Sequence, residues 1–208
     1  MNIQNAYNEW SGTYDSDENL TRDLDQRVTV DLLGNLHFDS ILEVGCGTGK
    51  NTVFLAQIGS VIHAVDFSRG MIEKAKEKVL SENVHFSLMD VTQRWDFEDG
   101  FFDLVTCNLI LEHVENLQFV FSEAARVLQP NGYFFINELH PFKQYDGKKA
   151  RFNRNEATIE VDAFVHHTSD FFRAATENRL ALTKLNEYWH EVDENKLPRI
   201  ISFLFEKR

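Results

Sequence analysis

The chain has 208 residues, of which 43% are hydrophobic and 26% charged; this is ordinary globular usage, which excludes disordered and fibrous classes and fits one α/β domain spanning residues 1–208. A formal net charge of -12 repels phosphate backbones and argues against a nucleic-acid partner. Residues 1–5 carry no basic or apolar leader, no apolar run approaches the ~20 residues of a membrane span, and two cysteines, Cys46 and Cys107, make neither a disulfide framework nor a metal site, so a reduced, cytoplasmic protein with no membrane partner and no metal is expected.

In chain order, Leu24, Val28, Leu32 and Leu36 recur every four residues after Leu20, which predicts an amphipathic helix within a helical cap over residues 1–37. Residues 40–44 are a short apolar strand running into glycines, and residues 48–58 read as a helix closed by Gly59. Strands follow at 61–65, 84–88 and 101–107. A helix capped by Ser68 separates the first two, and a helix over 116–128 leads past Pro130-Asn131-Gly132 to a fifth strand at 133–136. Such alternation builds a parallel sheet with helices on both faces. Residues 141–165 show no clear helix and read as an insertion over the strand ends on the substrate side. A helix from Ser169 to about Glu177 comes next, and runs at 182–189 and 200–205 predict an antiparallel pair at the sheet edge.

The turn Leu42-Glu43-Val44-Gly45-Cys46-Gly47-Thr48-Gly49-Lys50-Asn51 decides the chemistry. A phosphate-cradling loop needs a glycine at Val44 and a hydroxyl at Asn51, so that reading fails. A dinucleotide fingerprint needs its third glycine where Lys50 stands, which leaves a nicotinamide-dependent oxidoreductase a poor match. The pattern Glu43-x-Gly45-x-Gly47-x-Gly49 resembles the class I S-adenosylmethionine-dependent methyltransferases. The resemblance continues in order through Asp66-Phe67-Ser68-x-x-Met71, Asp90, Phe102-Asp103-Leu104-Val105 and Arg126-Val127-Leu128-x-Pro130-x-Gly132, over roughly residues 38–140. It implies a doubly wound, mainly parallel, seven-stranded Rossmann-like sheet with S-adenosyl-L-methionine at the strand ends.

The physical logic agrees: S-adenosylmethionine has no phosphate, so its site needs acceptors for a ribose diol, an adenine and a cation. Gly45 and Gly47 let backbone approach the ligand, and Asp66 is placed to accept the ribose hydroxyls. By resemblance, Asp90 with Val91 would meet the adenine, Phe67 and Met71 would flank its ring, Glu43 would orient the turn, and Asn108 would line the methyl-transfer mouth. Tyr14, in Tyr7-Asn8-Glu9-Trp10-Ser11-Gly12-Thr13-Tyr14-Asp15, would contact the cofactor from the N-terminal segment. Asn8 and Ser11 depart from the family's usual Asp and Ala there, and Arg179 stands where a helix-ending Gly is common.

Methyl transfer needs alignment first and a base only where the acceptor has a proton to lose. Histidines suit that task. His140, at the exit of the fifth strand, is the best placed by sequence, followed by His166 or its neighbour His167; His113 reads as a helix-end residue packing near the cofactor. The absence of Asn/Asp-Pro-Pro-Tyr/Phe after Cys107 and of a Pro-Cys pair removes the DNA-methylating chemistries, leaving a small-molecule acceptor. Lys143, Lys148, Lys149, Arg151 and Arg154 against Asp146 alone make residues 143–154 either a solvated loop or a lid for a carboxylate or phosphate on that acceptor. A domain that binds S-adenosylmethionine without turnover is the rival from another class.

Overall fold

Tyr133-Phe134-Phe135-Ile136 has little polar surface to offer, so a strand made of it must be covered on both faces. The computed structural model of the chain describes residues 3–147, 151–154, 157–161, 163–194 and 196–208, and in it Phe134 and Ile136 enter one core while Phe135 enters another. Strands β1 (Phe38–Val44), β2 (Gly59–Asp66), β3 (Val84–Leu88), β4 (Phe102–Asn108) and β5 (Leu128–Leu139) run parallel. Strands β6 (Arg151–Arg154) and β7 (Ala157–Glu160) form a separate two-stranded ribbon, and β8 (Leu180–Tyr188) and β9 (Ile200–Lys207) complete a seven-stranded sheet in the order β3-β2-β1-β4-β5-β9-β8. β9 lies antiparallel to both β5 and β8, which gives the expected antiparallel edge.

The helices are α1 (Ile3–Trp10), α2 (Leu20–Leu33), α3 (Thr52–Ile58), α4 (Arg69–Lys78), α5 (Leu117–Val127), α6 (Pro141–Tyr145) and α7 (Thr168–Glu177). One face of the sheet is covered through Leu33, Leu55 and Ile72 of α2, α3 and α4. The other is covered through Val120, Phe121, Phe171 and Ala174 of α5 and α7. Side-chain caps fix the helix starts: Asn19 accepts from the backbone N–H groups of Thr21 and Arg22, Ser68 from Met71, and Asn116 from Phe119.

Two of the sequence motifs brace the sheet rather than a ligand. Asp103 accepts the N–H groups of Asp39 and Ser40 at 2.7 and 3.0 Å, tying β4 to β1. Arg126 donates to Glu123, Asp99 and the carbonyls of Phe97 and Trp95, stitching the loop before β4 to α5.

Departures from expectation are local. α2 ends at Leu33, so the exposed Leu36 lies past it, and α3 begins at Thr52 because the glycine turn occupies the residues before it. Residues 141–145, read as irregular, are helical: Pro141 sits at the first helical position and the His140 ring accepts the Phe142 N–H at 3.1 Å, capping the turn. Residues after the ribbon return to the parallel strand ends, where Phe164 donates its N–H to the Glu112 carbonyl at 2.7 Å and Val161 packs on Ala6 and Trp10. No described helix is long and apolar enough to cross a membrane.

Candidate active site

The turn after β1 is built by its backbone. Gly45 (φ 75) and Gly47 (φ 54) are left-handed, a conformation that costs other residues roughly 1–2 kcal/mol. Gly45 and Cys46 donate their N–H groups to the Val65 carbonyl at 2.8 and 2.9 Å, which clamps the turn to β2. A Cβ on Gly45 would stand 2.2 Å from Ile110 Cγ2, whereas a Cβ on Gly47 would meet nothing within 4 Å. The first glycine is thus demanded by the wall behind it, and the second leaves open space in front.

Asp66, at the end of β2, accepts the Gly47 N–H at 3.0 Å and the Ser68 N–H at 2.8 Å. Burial raises its pKa to about 6, against the pull of those backbone donors. Glu43 lies deeper; burial pushes it up to about 8, opposed by the Thr52 hydroxyl, which donates at 2.5 Å, and reinforced by Asp25 and Asp66. Asp25 reaches in from α2 and accepts from the side-chain amides of Asn51, Asn108 and Asn137 at 2.8, 2.6 and 2.6 Å. Asp25, Glu43, Asp66 and Asp90 all line one cavity of about 550 Å³ with Arg22 and Lys50. The volume is within the range of small-molecule sites.

The opposite side is aromatic. α1 is fastened by Gln4, whose Nε2 donates to the Phe67 carbonyl at 2.7 Å, and by Asn8, whose Oδ1 accepts from Ser68 Oγ at 2.7 Å and Gly70 N at 3.1 Å. This brings Tyr7 within 6.0 Å of Phe67, 6.4 Å of Tyr14 and 5.3 Å of His113, measured between ring centroids. The Arg22 guanidinium lies over Tyr14 at 4.0 Å.

Tyr14, Glu43, Gly45, Gly47, Asp66, Phe67, Met71, Asp90, Val91 and Asn108 therefore all line the same cavity. The two histidines put forward as bases do not line it. His140 is buried, its Nε2 is 2.8 Å from Glu187 Oε1, and its Nδ1 caps α6; the strand exit is at the rim, but the side chain turns toward β8. His166 holds the Val114 carbonyl at 2.7 Å through Nε2, and His167 pairs with Tyr145. Lys143 of the cationic segment is paired with Asp193 at 3.0 Å. Lys148 and Lys149 lie outside the described residues, and Arg151 and Arg154 belong to β6.

Sequence reasoning missed Tyr7, Arg22 and Asp25 as lining residues. A signal existed for two of them: Arg22, Asp25 and Thr29 recur at helical spacing, and all three are buried. His113 lines the cavity, with Tyr7 Oη at 2.7 Å from its Nε2. Among the described residues no group of His, Cys, Asp and Glu side chains has the arrangement of a metal site.

Residues 42–136 match the family model of the methyltransferase domain. The matched segment runs from within β1 to within β5. The chain is 37% identical over 107 residues to a demethylmenaquinone methyltransferase of Leptospira interrogans, an alignment covering 49% of this chain and 42% of that protein. It is 31% identical over 108 residues to a ubiquinone biosynthesis O-methyltransferase of Coxiella burnetii, covering 50% of this chain and 46% of the relative. The chain thus spans less than half the length of the curated relatives it matches. The fold extends further: a methyltransferase of Clostridium acetobutylicum superposes with a TM-score of 0.71 at 18% identity, over 97% of this chain and 99% of that one. The N-methyltransferase NodS of Bradyrhizobium japonicum, solved with S-adenosyl-L-homocysteine, does so with a TM-score of 0.69 at 17% identity, over 92% and 89%.

Proposed function

We propose that this chain is an S-adenosylmethionine-dependent methyltransferase acting on a small molecule in the cytoplasm. The observation that carries the reading is the convergence of Glu43, the bare backbone at Gly47, Asp66 and Asp90 on one cavity at the carboxyl ends of β1, β2 and β3. That donor set fits the cofactor. Acidic acceptors suit a ribose diol, an adenine amino group and a positively charged methionine part, and the space before Gly47 admits a ligand against main chain. The cofactor supplies an activated methyl group on a sulfonium.

The chain's own residues would then bind and align. Asp66, braced by two N–H groups, presents its carboxylate to the ribose; Asp90 takes the adenine amino group beside Val91; Phe67 and Met71 flank the ring. Tyr14, held by Arg22, closes the N-terminal side, and Asn108, anchored to Asp25, faces the acceptor. The enclosed volume and the relatives' quinone-related names support a small acceptor. An anionic acceptor drawn in by residues 143–154 rests on the composition of that segment, of which Lys143 already answers Asp193.

Isothermal calorimetry with S-adenosylhomocysteine tests the reading. The wild-type chain should bind, and Asp66→Ala should lose about 1.5–3 kcal/mol of affinity, the range for hydrogen bonds to a charged group. No heat from the wild-type chain, with its circular dichroism melt intact, would overturn the proposal.

A further inference from the structure

Tyr7 and His113 are 106 residues apart, yet they meet in the cavity wall with Oη 2.7 Å from Nε2 and their rings nearly perpendicular at 72°. A third group stands behind them. Glu112 Oε1 is 3.8 Å from the same His113 nitrogen, its side chain is only 8% exposed, and its Oε2 is buried with no hydrogen-bond partner among the described residues. Burial lifts this carboxyl to about 7, opposed by a hydrogen bond from the Gln144 side chain. The turn that presents these residues is held tightly: Glu138 accepts the N–H groups of both Ile110 and Leu111 at 2.8 Å, and Leu109 is left-handed with φ 55.

We propose that Tyr7 and His113 form a proton relay, backed by Glu112, and that the acceptor methylated here is a phenol. The inference rests on the function proposed above. As the acceptor O–H bond breaks, its proton passes to Tyr7 Oη while the Tyr7 proton passes to His113 Nε2. The O–H electron pair stays on the acceptor oxygen as the nucleophile. Tyr7 ends neutral, and His113 ends as an imidazolium 3.8 Å from the Glu112 carboxyl. The relay uses the tautomer with the imidazole proton on Nδ1.

Tyr7 cannot itself be the base. Burial, with Tyr14, Glu112, Asp66 and Glu138 around it, holds its phenol well above the ordinary value, so it moves a proton only by handing one on. A phenolic acceptor matches such a relay because proton donor and carrier have the same intrinsic acidity, with pKa near 10. An aliphatic hydroxyl holds its proton far more tightly. The Tyr7 ring, set edge-on to His113, offers an aromatic surface for a phenolic acceptor.

The test uses 4-nitrophenol, whose absorbance reports its own ionisation, with the full chain saturated in S-adenosylhomocysteine. Binding should raise the phenolate-to-phenol ratio about tenfold at fixed pH, one unit of pKa, and should move the His113 ring nitrogens to imidazolium shifts in ¹⁵N NMR. Tyr7→Phe, which keeps the ring packing, and His113→Gln should abolish both signals. Should His113→Gln fail to fold, Tyr7→Phe decides alone. Failure of 4-nitrophenol to bind, ionisation unchanged on binding, or Tyr7→Phe behaving as wild type would overturn the relay. Calorimetry of S-adenosylhomocysteine on the same samples separates the two proposals, since heat without phenol ionisation removes only the relay, and no heat removes the reading beneath it.

Discussion

On one side of the cavity, the lining between Glu43 and Val91 comes from three neighbouring strand ends and the turns that follow them. On the other, Tyr7 and Tyr14 of the N-terminal segment, Asp25 of α2, Asn108 at the end of β4, and Ile110 and His113 beyond it meet only because distant segments pack. The first wall is fixed by main-chain geometry: left-handed glycines, N–H groups on the Val65 carbonyl and a carboxylate at each strand end. The second is fixed by side-chain hydrogen bonds of long sequence separation, such as Asn108 to Asp25 and Tyr7 to His113. A wall of the first kind tolerates little change in its backbone. A wall of the second kind can be rebuilt residue by residue to take another ligand while the strand ends stay as they are.

Gly45→Ala should break the first wall with the largest effect. The new Cβ would sit in a left-handed conformation and 2.2 Å from Ile110 Cγ2, so strain of ~1–2 kcal/mol adds to overpacking of ~1–3 kcal/mol. Urea denaturation should show about 2–5 kcal/mol of lost stability. Gly47→Ala, with nothing within 4 Å of its Cβ, should show the strain alone. Equal losses in the two variants would mean that Ile110 yields freely and that the contact between the walls is soft.

The buried carboxylates sharpen the comparison through pH. Glu43 moves from 4.5 to about 8 on folding, chiefly by burial. The folded state therefore holds a proton that the unfolded state has lost throughout that window. By linkage, stability is fully present below about pH 4.5 and falls as pH rises toward 8, by at most about 1.4 kcal/mol per pH unit. Glu43→Gln, neutral at every pH, should flatten that slope in denaturation curves measured from pH 5 to 8. Asp66 and Glu112, raised to about 6 and about 7 chiefly by burial, add smaller slopes of the same sign, which the variant should retain. A wild-type chain whose stability climbs over this range would show that Glu43 is ionised in the fold.

The same division explains what could be read beforehand. Glu43, Gly45, Gly47, Asp66, Met71 and Asp90 stand at fixed offsets from strands with strong apolar patterns, so their place in the cavity follows from local structure. Asp25 sits on a helix whose apolar stripe is plain, whereas the inward polar stripe at Arg22, Asp25 and Thr29 gives no apolar signal. Tyr7 and His113 have no local signature for their contact, which depends on how α1 docks on Phe67 and Gly70. His140 shows the opposite error: the end of β5 locates its backbone at the rim, but side-chain direction is set by the cap it makes on α6 and by Glu187 of β8. The helical turn at 141–145 was missed because five residues are too few to display a period, although Pro141 after a capping residue marked it.

The smallest expected effect lies far from either wall. Arg179, between α7 and β8, is exposed and left-handed with φ 56, where its N–H meets the Thr176 carbonyl at 3.3 Å and its carbonyl accepts from Arg208 N at 3.1 Å. Arg179→Gly should relieve the strained backbone but give the unfolded chain more freedom, for a net gain of about 0.5–1 kcal/mol in urea denaturation. It also removes a cation from a chain of net charge -12, which raises self-repulsion and works against that gain at low ionic strength. The two contributions separate by salt, because screening weakens the charge term and leaves the dihedral term untouched. A gain that grows between 0.05 and 0.5 M salt, roughly spanning the Debye lengths over which surface charges interact, fits relief of strain opposed by charge. A loss that persists at high salt would show that the arginine side chain itself holds the end of α7.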